Sequence, residues 1–412
     1  MDYSQLNIPH TVPISHTPST APSGNDELPT SLTSPPPPTK ESKSIFAFWH
    51  SGIKSMPPYL LRNVLSWHAR FSPLGWTIYV IDTVPDSPLN MANYIDVSSS
   101  DVFPASLING GMHNDPYAAQ HTSDLIRYPL LLKYGGMYLD VGVLQFGDIN
   151  WLWEKHIANP DSPYDYAGMT MGDPAEGAIT IINFNVMTVP DSPLVERAHK
   201  IFLKLWEGKT STKGMCKQPI VQHVPLLAVP AGTAVSEEGK GQMDINDESM
   251  TDYAIHIQAM GAAQRWRDDE AGWDGPAYVR DKCWLYSMVD MAYANEQVTG
   301  WISRRQYELF STKLPGPGEE ENDDQKLARR MVEECIGRSW CLKLAHGFSA
   351  RLFGAPTLGM LWRDNKGSDC EEGTYGGWLR WAEVNLTHES VPKPLVIPTL
   401  EPTRVASLNS YL

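Results

Sequence analysis

Residues 121–148 read HTSDLIRYPLLLKYGGMYLDVGVLQFGD, and the other predicted elements can be placed around this stretch. Either Thr122 or Ser123 can cap a helix, because apolar residues recur at helical spacing from there to Tyr134. The two glycines that follow can adopt the left-handed conformation that ends a helix. The pattern therefore predicts a helix and a tight glycine turn.

The residues after the glycines, 137–144, are almost all apolar and predict a buried strand. Asp140 is the acid within this strand. Burying an ionised carboxylate is costly unless it is paired. Asp140 must therefore either join a satisfied polar network or stand at the strand end and face a ligand.

The pattern resembles the glycosyltransferase-like proteins of the DXD-sugar-binding and capsular-polysaccharide-synthesis kind. It consists of Ser-Asp-x-x-Arg-Tyr at 123–128, an apolar helix, Tyr-Gly-Gly at 134–136 and a strand that ends in an acid. The resemblance implies an α/β protein with a GT-A-like nucleotide-binding sheet, flanking helices and a mainly helical C-terminal part.

In that family the strand ends in Asp-x-Asp, and the two carboxylates hold a divalent metal against the diphosphate of a sugar nucleotide. Here the triplet is Asp140-Val141-Gly142, which has only one carboxylate. Hard cations need several oxygen ligands. We therefore expect no metal to be required. Mn²⁺ or Mg²⁺ enters only if the donor is a nucleotide sugar, with Asp140 as its ligand.

The 412 residues divide into three predicted parts. Residues 1–44, rich in Pro, Ser and Thr, predict a disordered tail. Residues 45–210 predict the GT-A-like catalytic core, and residues 211–412 predict a mainly helical part that completes the site. In this last part, helical segments are expected around 252–267, 281–295 and 323–345.

The predicted core begins with two strands, 45–49 and 76–82, separated by a helix that starts at Pro57 or Pro58 and runs to about Arg70. Such a β-α-β start is typical of a nucleotide-binding half. Asp82, at the end of the second strand, is a candidate contact for a ribose or base.

Further candidates follow from the resemblance and from polar residues in apolar surroundings. Asp124 and Arg127 are spaced to lie on one helix face, and their counterparts in the family help to hold the nucleotide. Asn183 and Asn185 interrupt an apolar strand and bind either substrate or neighbouring backbone. His346 is the candidate for the late histidine that completes the diphosphate site in the family.

Asp140 and Asp124 are the predicted catalytic residues. A lone carboxylate at a strand end can act as a general base, or it can orient an attacking amine or hydroxyl. For the pair of Asp124 and Arg127, a structural ion pair is an equally good interpretation.

The formal charge of −15 argues against broad nucleic-acid binding but leaves room for a local basic patch. No stretch reaches the roughly eighteen consecutive apolar residues of a membrane helix, so we expect a cytoplasmic protein without a membrane partner.

Three functional hypotheses remain. The leading one is that the chain resembles the fungal arginine-containing cyclodipeptide synthases, which join aminoacyl groups from arginyl-tRNA and a second charged tRNA. The proline-rich start and the altered acid motif favour it. The tRNA could bind a basic stretch formed by Lys200, Lys204, Lys209, Lys213 and Lys217. The alternatives are a glycosyltransferase with a nucleotide-sugar donor and a catalytically inactive binding protein.

Overall fold

A computed structural model of the chain describes residues 2–16, 20–22, 24, 27–108, 111–174, 179–228, 246–345, 349–350, 352 and 354–404. Its strands are, in chain order, β1 Thr11–Pro13, β2 Lys43–Phe48, β3 Trp76–Ile81, β4 Gly136–Leu139, β5 Val143–Gln145, β6 Tyr166–Met171, β7 Thr180–Ile181, β8 Asn185–Thr188, β9 Trp266–Asp268, β10 Trp273–Asp274, β11 Cys283–Ser287, β12 Cys341–Lys343, β13 Leu386–His388 and β14 Thr403–Arg404.

The helices are α1 Thr30–Thr33, α2 Pro58–Phe71, α3 Ala105–Ile108, α4 Ala118–Tyr134, α5 Ile149–Leu152, α6 Pro193–Trp206, α7 Asp247–Tyr253, α8 Ile255–Arg265, α9 Gly275–Lys282, α10 Met288–Ala292, α11 Ala294–Thr299, α12 Ser303–Ser311, α13 Asp323–Arg338, α14 Leu358–Asp364 and α15 Tyr375–Asn385. Within the described ranges, none of these helices combines the length and the apolar character that crossing a membrane requires.

The central sheet has the strand order β11-β6-β8-β4-β2-β3, with β7 paired to β6. Strands β3, β2 and β4 run parallel, β8 is antiparallel to β4 and to β6, and β11 is parallel to β6. Helices pack beside this sheet, which confirms the predicted α/β, GT-A-like architecture. The carboxyl ends of β2, β3 and β4 lie at one edge, where open α/β sheets bind their ligands.

The glycine turn forms where the sequence predicts it, between α4 and β4. Gly135 and Gly136 have φ values of 66° and 90°, which favour glycine. A Cβ atom on Gly136 would lie 2.4 Å from the carbonyl oxygen of Ser44 on β2. This close approach places β4 beside β2.

The predicted strand over 137–144 is wrong in its length. Strand β4 ends at Leu139, the chain turns at residues 140–142, and β5 pairs with β12 in a separate two-stranded sheet. The apolar character of both strands is real, because β4 and β5 are buried throughout. Periodicity could not reveal the turn, because residues on both sides of it are buried.

Helix α4 begins earlier than expected, at Ala118. The hydroxyl of Thr122 does not cap the helix; it donates to the carbonyl oxygen of Ala118 at 2.7 Å. Pro129 lies inside the helix, where it lacks an N–H for the ladder. The helix is nevertheless buried along most of its length, and we attribute its continuity through the proline to this packing.

Residues 1–44, for which the sequence predicts a disordered tail, include described residues that pack against the rest of the chain. Tyr3, Ile8 and Leu32 are buried, and β1 pairs with β13 near the C-terminal end. The hydroxyl of Tyr3 accepts a hydrogen bond from the backbone N–H of Gly373 at 2.8 Å. A few apolar residues between the prolines are enough to anchor the segment, and composition averages over them.

The described residues beyond 210 are mainly helical, but the prediction of a helix over 281–295 is wrong at its start. Residues 283–287 form β11, which pairs in parallel with β6 and extends the central sheet. Strand β12 likewise pairs with β5 of the first half. The second half of the chain therefore completes sheets that the first half begins.

A buried ion network ties α2 to the C-terminal helices. The Asp369 carboxylate accepts hydrogen bonds from Arg62 of α2 and from Arg380 of α15. All three side chains are at most 3% exposed. Burial by itself raises the pKa of the Asp369 carboxyl, but the two guanidinium groups outweigh it and hold the pKa below its usual value.

We predict that Asp369→Asn lowers the free energy of unfolding by about 3–5 kcal/mol, because Arg62 and Arg380 lose the buried carboxylate that they share, although Arg380 keeps its ion pair with Glu383. Glu371→Gln is the control, since Glu371 forms an ion pair two residues away with both side chains more than half exposed. That variant should unfold almost like the wild type. Urea denaturation measures both, and equal losses would contradict the structural role of the buried network.

Candidate functional site

Asp140 lies in the turn directly after β4, at the carboxyl edge of the central sheet. Its backbone N–H donates to the carbonyl oxygen of Phe184 at 2.9 Å, and its carbonyl oxygen accepts from the N–H of Val143 at 3.0 Å. The side chain is 27% exposed, whereas the strand before it is buried. The backbone thus fixes a carboxylate that solvent or a ligand can reach.

Arg127 of α4 connects this carboxylate to a second one. Its Nη2 donates to Oδ1 of Asp140 and its Nη1 donates to Oδ1 of Asp124, both at 3.0 Å. The guanidinium is 2% exposed and lies over the ring of Tyr138, with 4.3 Å from Cζ to the ring centroid. The helix and the strand end are therefore joined by one buried cation.

Lys343, at the end of β12, provides a second cation. Its Nζ donates to Oδ2 of Asp140 at 2.7 Å and lies 5.3 Å from the ring centroid of Phe184. Because Arg127 binds the other oxygen, each oxygen of Asp140 has a cationic partner. Asp140 thus belongs to a polar network and also stands at the strand end.

Asp124, Arg127, Asp140 and Lys343 form a cluster of charged side chains, and Asp124 is the more buried of its two carboxylates. Its Oδ1 also accepts a hydrogen bond from Nδ2 of Asn183 at 3.0 Å, and its Oδ2 lies 2.9 Å from Nδ1 of His256. Burial by itself raises the pKa of the Asp124 carboxyl, but His256 and Arg127 outweigh it and hold the pKa below its usual range. Asp124 is therefore ionised at neutral pH.

His256, the second residue of α8, is neutral at that pH. Burial lowers the pKa of its imidazole, and the nearby Asp124 offsets only part of this effect. The cluster consequently has two negative side chains, Asp124 and Asp140, and two positive ones, Arg127 and Lys343. The four charges cancel before any ligand binds.

The structure brings four of the predicted site residues together: Asp124, Arg127, Asp140 and Asn183. Asp82 bonds elsewhere, because its carboxylate accepts from the N–H of Val84 and the hydroxyl of Ser87 and so organises its own turn.

Two other predicted residues do not enter the cluster. Asn185 donates to Oε1 of Gln145 at 3.1 Å and lies beside the thiol of Cys341, which is a packing role. His346 lies outside the described residues.

Sequence reasoning missed Lys343 and His256. Lys343 lies in the same apolar run as His346, and a lysine within an apolar run was the available signal. For His256 there was no such signal, because a histidine on an apolar helix is most often a packed residue. Both depend on contacts with residues more than a hundred positions away in the sequence.

The described side chains around Asp140 do not suit the divalent cation that the resemblance implies. Both Asp140 oxygens already have cationic partners, and Gly142 offers no side-chain ligand. No group of three or more His, Cys, Asp or Glu with metal-binding geometry occurs in the part of the chain that the structure describes.

Comparison with known proteins identifies the relatives of this chain. The family model described as capsular polysaccharide synthesis protein matches residues 22–211. O-glycosyltransferase braB of Annulohypoxylon truncatum is 32% identical over 360 residues, which cover 86% of this chain and 83% of that protein. O-glycosyltransferase PaGT of Phomopsis amygdali is 30% identical over 91% of this chain and 89% of its own. Glycosyltransferase afumC of Aspergillus fumigatus is 31% identical over 88% and 89%, respectively.

These relatives show that the cyclodipeptide synthase hypothesis is wrong in its donor, although the expected transferase activity stands. Each is named a glycosyltransferase, and none is named for aminoacyl-tRNA. The basic stretch proposed for tRNA is also partly neutralised. Three of its lysines form ion pairs with glutamates: Lys200 with Glu196, Lys204 with Glu207, and Lys217 with Glu248.

We predict that Arg127→Met lowers the free energy of unfolding by about 3–5 kcal/mol, because the buried Asp124 loses its guanidinium partner. Asp140→Asn should cost only about 1 kcal/mol, since Asp140 is more exposed and Arg127 keeps its bond to Asp124. Urea denaturation of the two variants measures the difference. Similar losses in both would show that Arg127 does not support the cluster in this way.

Proposed function

The chain belongs to the glycosyltransferase-like family that contains the capsular polysaccharide synthesis proteins and these fungal transferases, and we propose that it transfers a sugar from a nucleotide-sugar donor to an acceptor hydroxyl. The observation that carries this proposal is the position of the cluster around Asp140. It lies at the carboxyl edge of the parallel strands β2, β3 and β4, where nucleotides bind in sheets of this type. An oxygen acceptor fits the names of two relatives, which are called O-glycosyltransferases.

The proposed reaction is a displacement at the anomeric carbon of the donor sugar. The acceptor oxygen forms a bond to that carbon while the bond from the carbon to the diphosphate oxygen breaks. The bonding electron pair leaves with the nucleoside diphosphate, which gains one negative charge. The acceptor hydroxyl loses its proton, which passes to solvent.

The chain's own residues position the donor in this scheme. Asp140 holds Arg127 and Lys343 in place at the strand end, and Arg127 in turn fixes Asp124. The side-chain amide of Asn183 donates a hydrogen bond to Asp124. Residues 211–412 complete the site that 45–210 begins, a division supported by Lys343, which comes from β12.

Purified protein incubated with a panel of UDP- and GDP-sugars tests the proposal. Calorimetry measures binding of each nucleotide sugar. An extract of small hydroxylated metabolites is then added as a source of acceptors, and release of the nucleoside diphosphate is measured. We expect one class of donor to bind, and mass spectrometry should show an acceptor product heavier by one sugar residue. The sugar in the product should carry isotope label supplied in the donor.

Two outcomes would contradict the proposal. Donor binding with no consumption under any acceptor condition would favour the inactive binding protein. If the protein binds none of the nucleotide sugars, the hypothesis of a nucleotide-sugar donor is wrong.

Asp140→Asn should lower kcat/KM by about 100-fold or more, because Lys343 and Arg127 lose the charge that orients them toward the reacting diphosphate. The control is Asp165→Asn. Asp165 precedes β6, at the opposite edge of the sheet, and accepts from the hydroxyl of Tyr278 at 2.6 Å. Its variant should keep normal turnover. An active Asp140→Asn enzyme would exclude Asp140 from the site.

A further inference from the structure

Lys343 occupies the position at Asp140 where a carboxylate-bound cation belongs. Its ammonium donates to Oδ2 of Asp140 at 2.7 Å, on a side chain that is 16% exposed. We infer that Lys343 binds the diphosphate of the donor in place of the divalent cation that the resemblance to the Asp-x-Asp family implies. This inference rests on the proposed glycosyltransferase function. It assigns Lys343 as the residue that binds the nucleoside diphosphate, which is the leaving group.

The chemistry of the carboxylate favours a lysine over a metal ion. A divalent cation at Asp140 would have to displace a hydrogen-bonded cation from one of its oxygens. It would gain only a single carboxylate, since Gly142 offers none. Mg²⁺ and Mn²⁺ bind to sets of oxygen ligands, so this exchange is unfavourable.

The pair of Asp140 and Lys343 has the same net charge as a divalent cation bound to two carboxylates. Two carboxylates with one divalent cation have a net charge of zero, and so does Asp140 with Lys343. Replacement of the second acid by Gly142 and the presence of Lys343 therefore keep the same electrostatic balance at the strand end. A lysine is a compact charge with three N–H donors, and lysine is a common phosphate-binding residue in proteins.

The position of Lys343 is fixed by its surroundings. Strand β12 pairs with β5, which follows Asp140 after a short turn, and the N–H of Leu344 donates to the carbonyl oxygen of Gly142 at 2.8 Å. The ring of Phe184 lies 5.3 Å from Nζ and shields one side of the ammonium. One N–H is directed to Asp140, which leaves further donors for phosphate oxygens.

Such a cation acts on the reaction as well as on binding. The diphosphate gains one negative charge when the bond to the sugar breaks, and a partly buried ammonium stabilises this charge more strongly than an exposed one. No bound ion has to be loaded or released with the product.

Calorimetric titration in EDTA tests the inference, with UDP and GDP as probes and with uridine and guanosine as their phosphate-free counterparts. Lys343→Met removes the charge at similar length and should weaken binding of the diphosphate by about 10- to 100-fold, the loss typical of one charge-assisted hydrogen bond. Binding of the nucleoside alone should not change. Lys343→Arg keeps a cation and should recover part of the affinity.

Lys43→Met is the matched control. Lys43 is also a partly exposed lysine, at 23%, and also pairs with a carboxylate, Glu154, but it lies at the start of β2. Its loss should leave diphosphate binding unchanged. Should Lys343→Met fail to fold, Lys343→Gln takes its place, because the glutamine amide can still donate to Asp140.

The double variant Asp140→Asn/Lys343→Met separates direct binding from simple neutralisation. It has the same net charge as the wild type but lacks the ammonium. Direct contact with the diphosphate predicts that binding stays weak. Recovery of wild-type affinity would show that Lys343 only neutralises Asp140, and would overturn the inference.

The remaining outcomes distinguish this inference from the proposed function. If the wild type binds diphosphates in EDTA and Lys343→Met binds them equally well, the lysine inference is wrong and the nucleotide-sugar proposal stands. Wild-type binding that appears only after Mn²⁺ is added also overturns the lysine inference alone. If the wild type binds neither diphosphates nor nucleotide sugars under either condition, both are wrong.

Discussion

The buried guanidinium of Arg127 is the constraint on which the site depends. It is 2% exposed, so it requires counter-charges, and it finds them in Asp124 on its own helix and in Asp140 after the next strand. These two bonds fix how α4 and the end of β4 lie relative to each other. The turn between them contains Gly135 and Gly136, and β4 lies so close to β2 that a Cβ at Gly136 would collide with Ser44.

The sequence predicted those parts of the fold and site that depend on local pattern. Helix α2, strands β2 and β3 and the glycine turn follow from periodicity and glycine chemistry, and Asp124 and Arg127 follow from helical spacing. It could not predict the partners of these residues that come from far along the chain. Lys343 reaches Asp140 only because β12 pairs with β5, and β11 joins the sheet through a pairing with β6 that no local pattern encodes.

The wrong choice of donor has a physical origin in the same region. Gly142 in place of the second carboxylate favours a different donor only if the cation at this motif has to be a metal ion. The structure supplies a cation from the protein instead, so the altered motif and a diphosphate donor are compatible. The surface suggested for tRNA is also less basic than the sequence indicates. Three of its lysines form ion pairs with Glu196, Glu207 and Glu248.

The second half of the chain therefore has a chemical as well as a structural part in the proposed site. The family model ends at residue 211, but His256 and Lys343 both come from beyond it. The buried bonds of Arg62 and Arg380 to Asp369 hold α2 against the C-terminal helices. A core ending near residue 210 would keep Asp140 but lose one of its two cations. Asp140 would then have Arg127 as a partner but not Lys343, and one fewer positive charge would offset a bound diphosphate. The relatives match this chain over both halves.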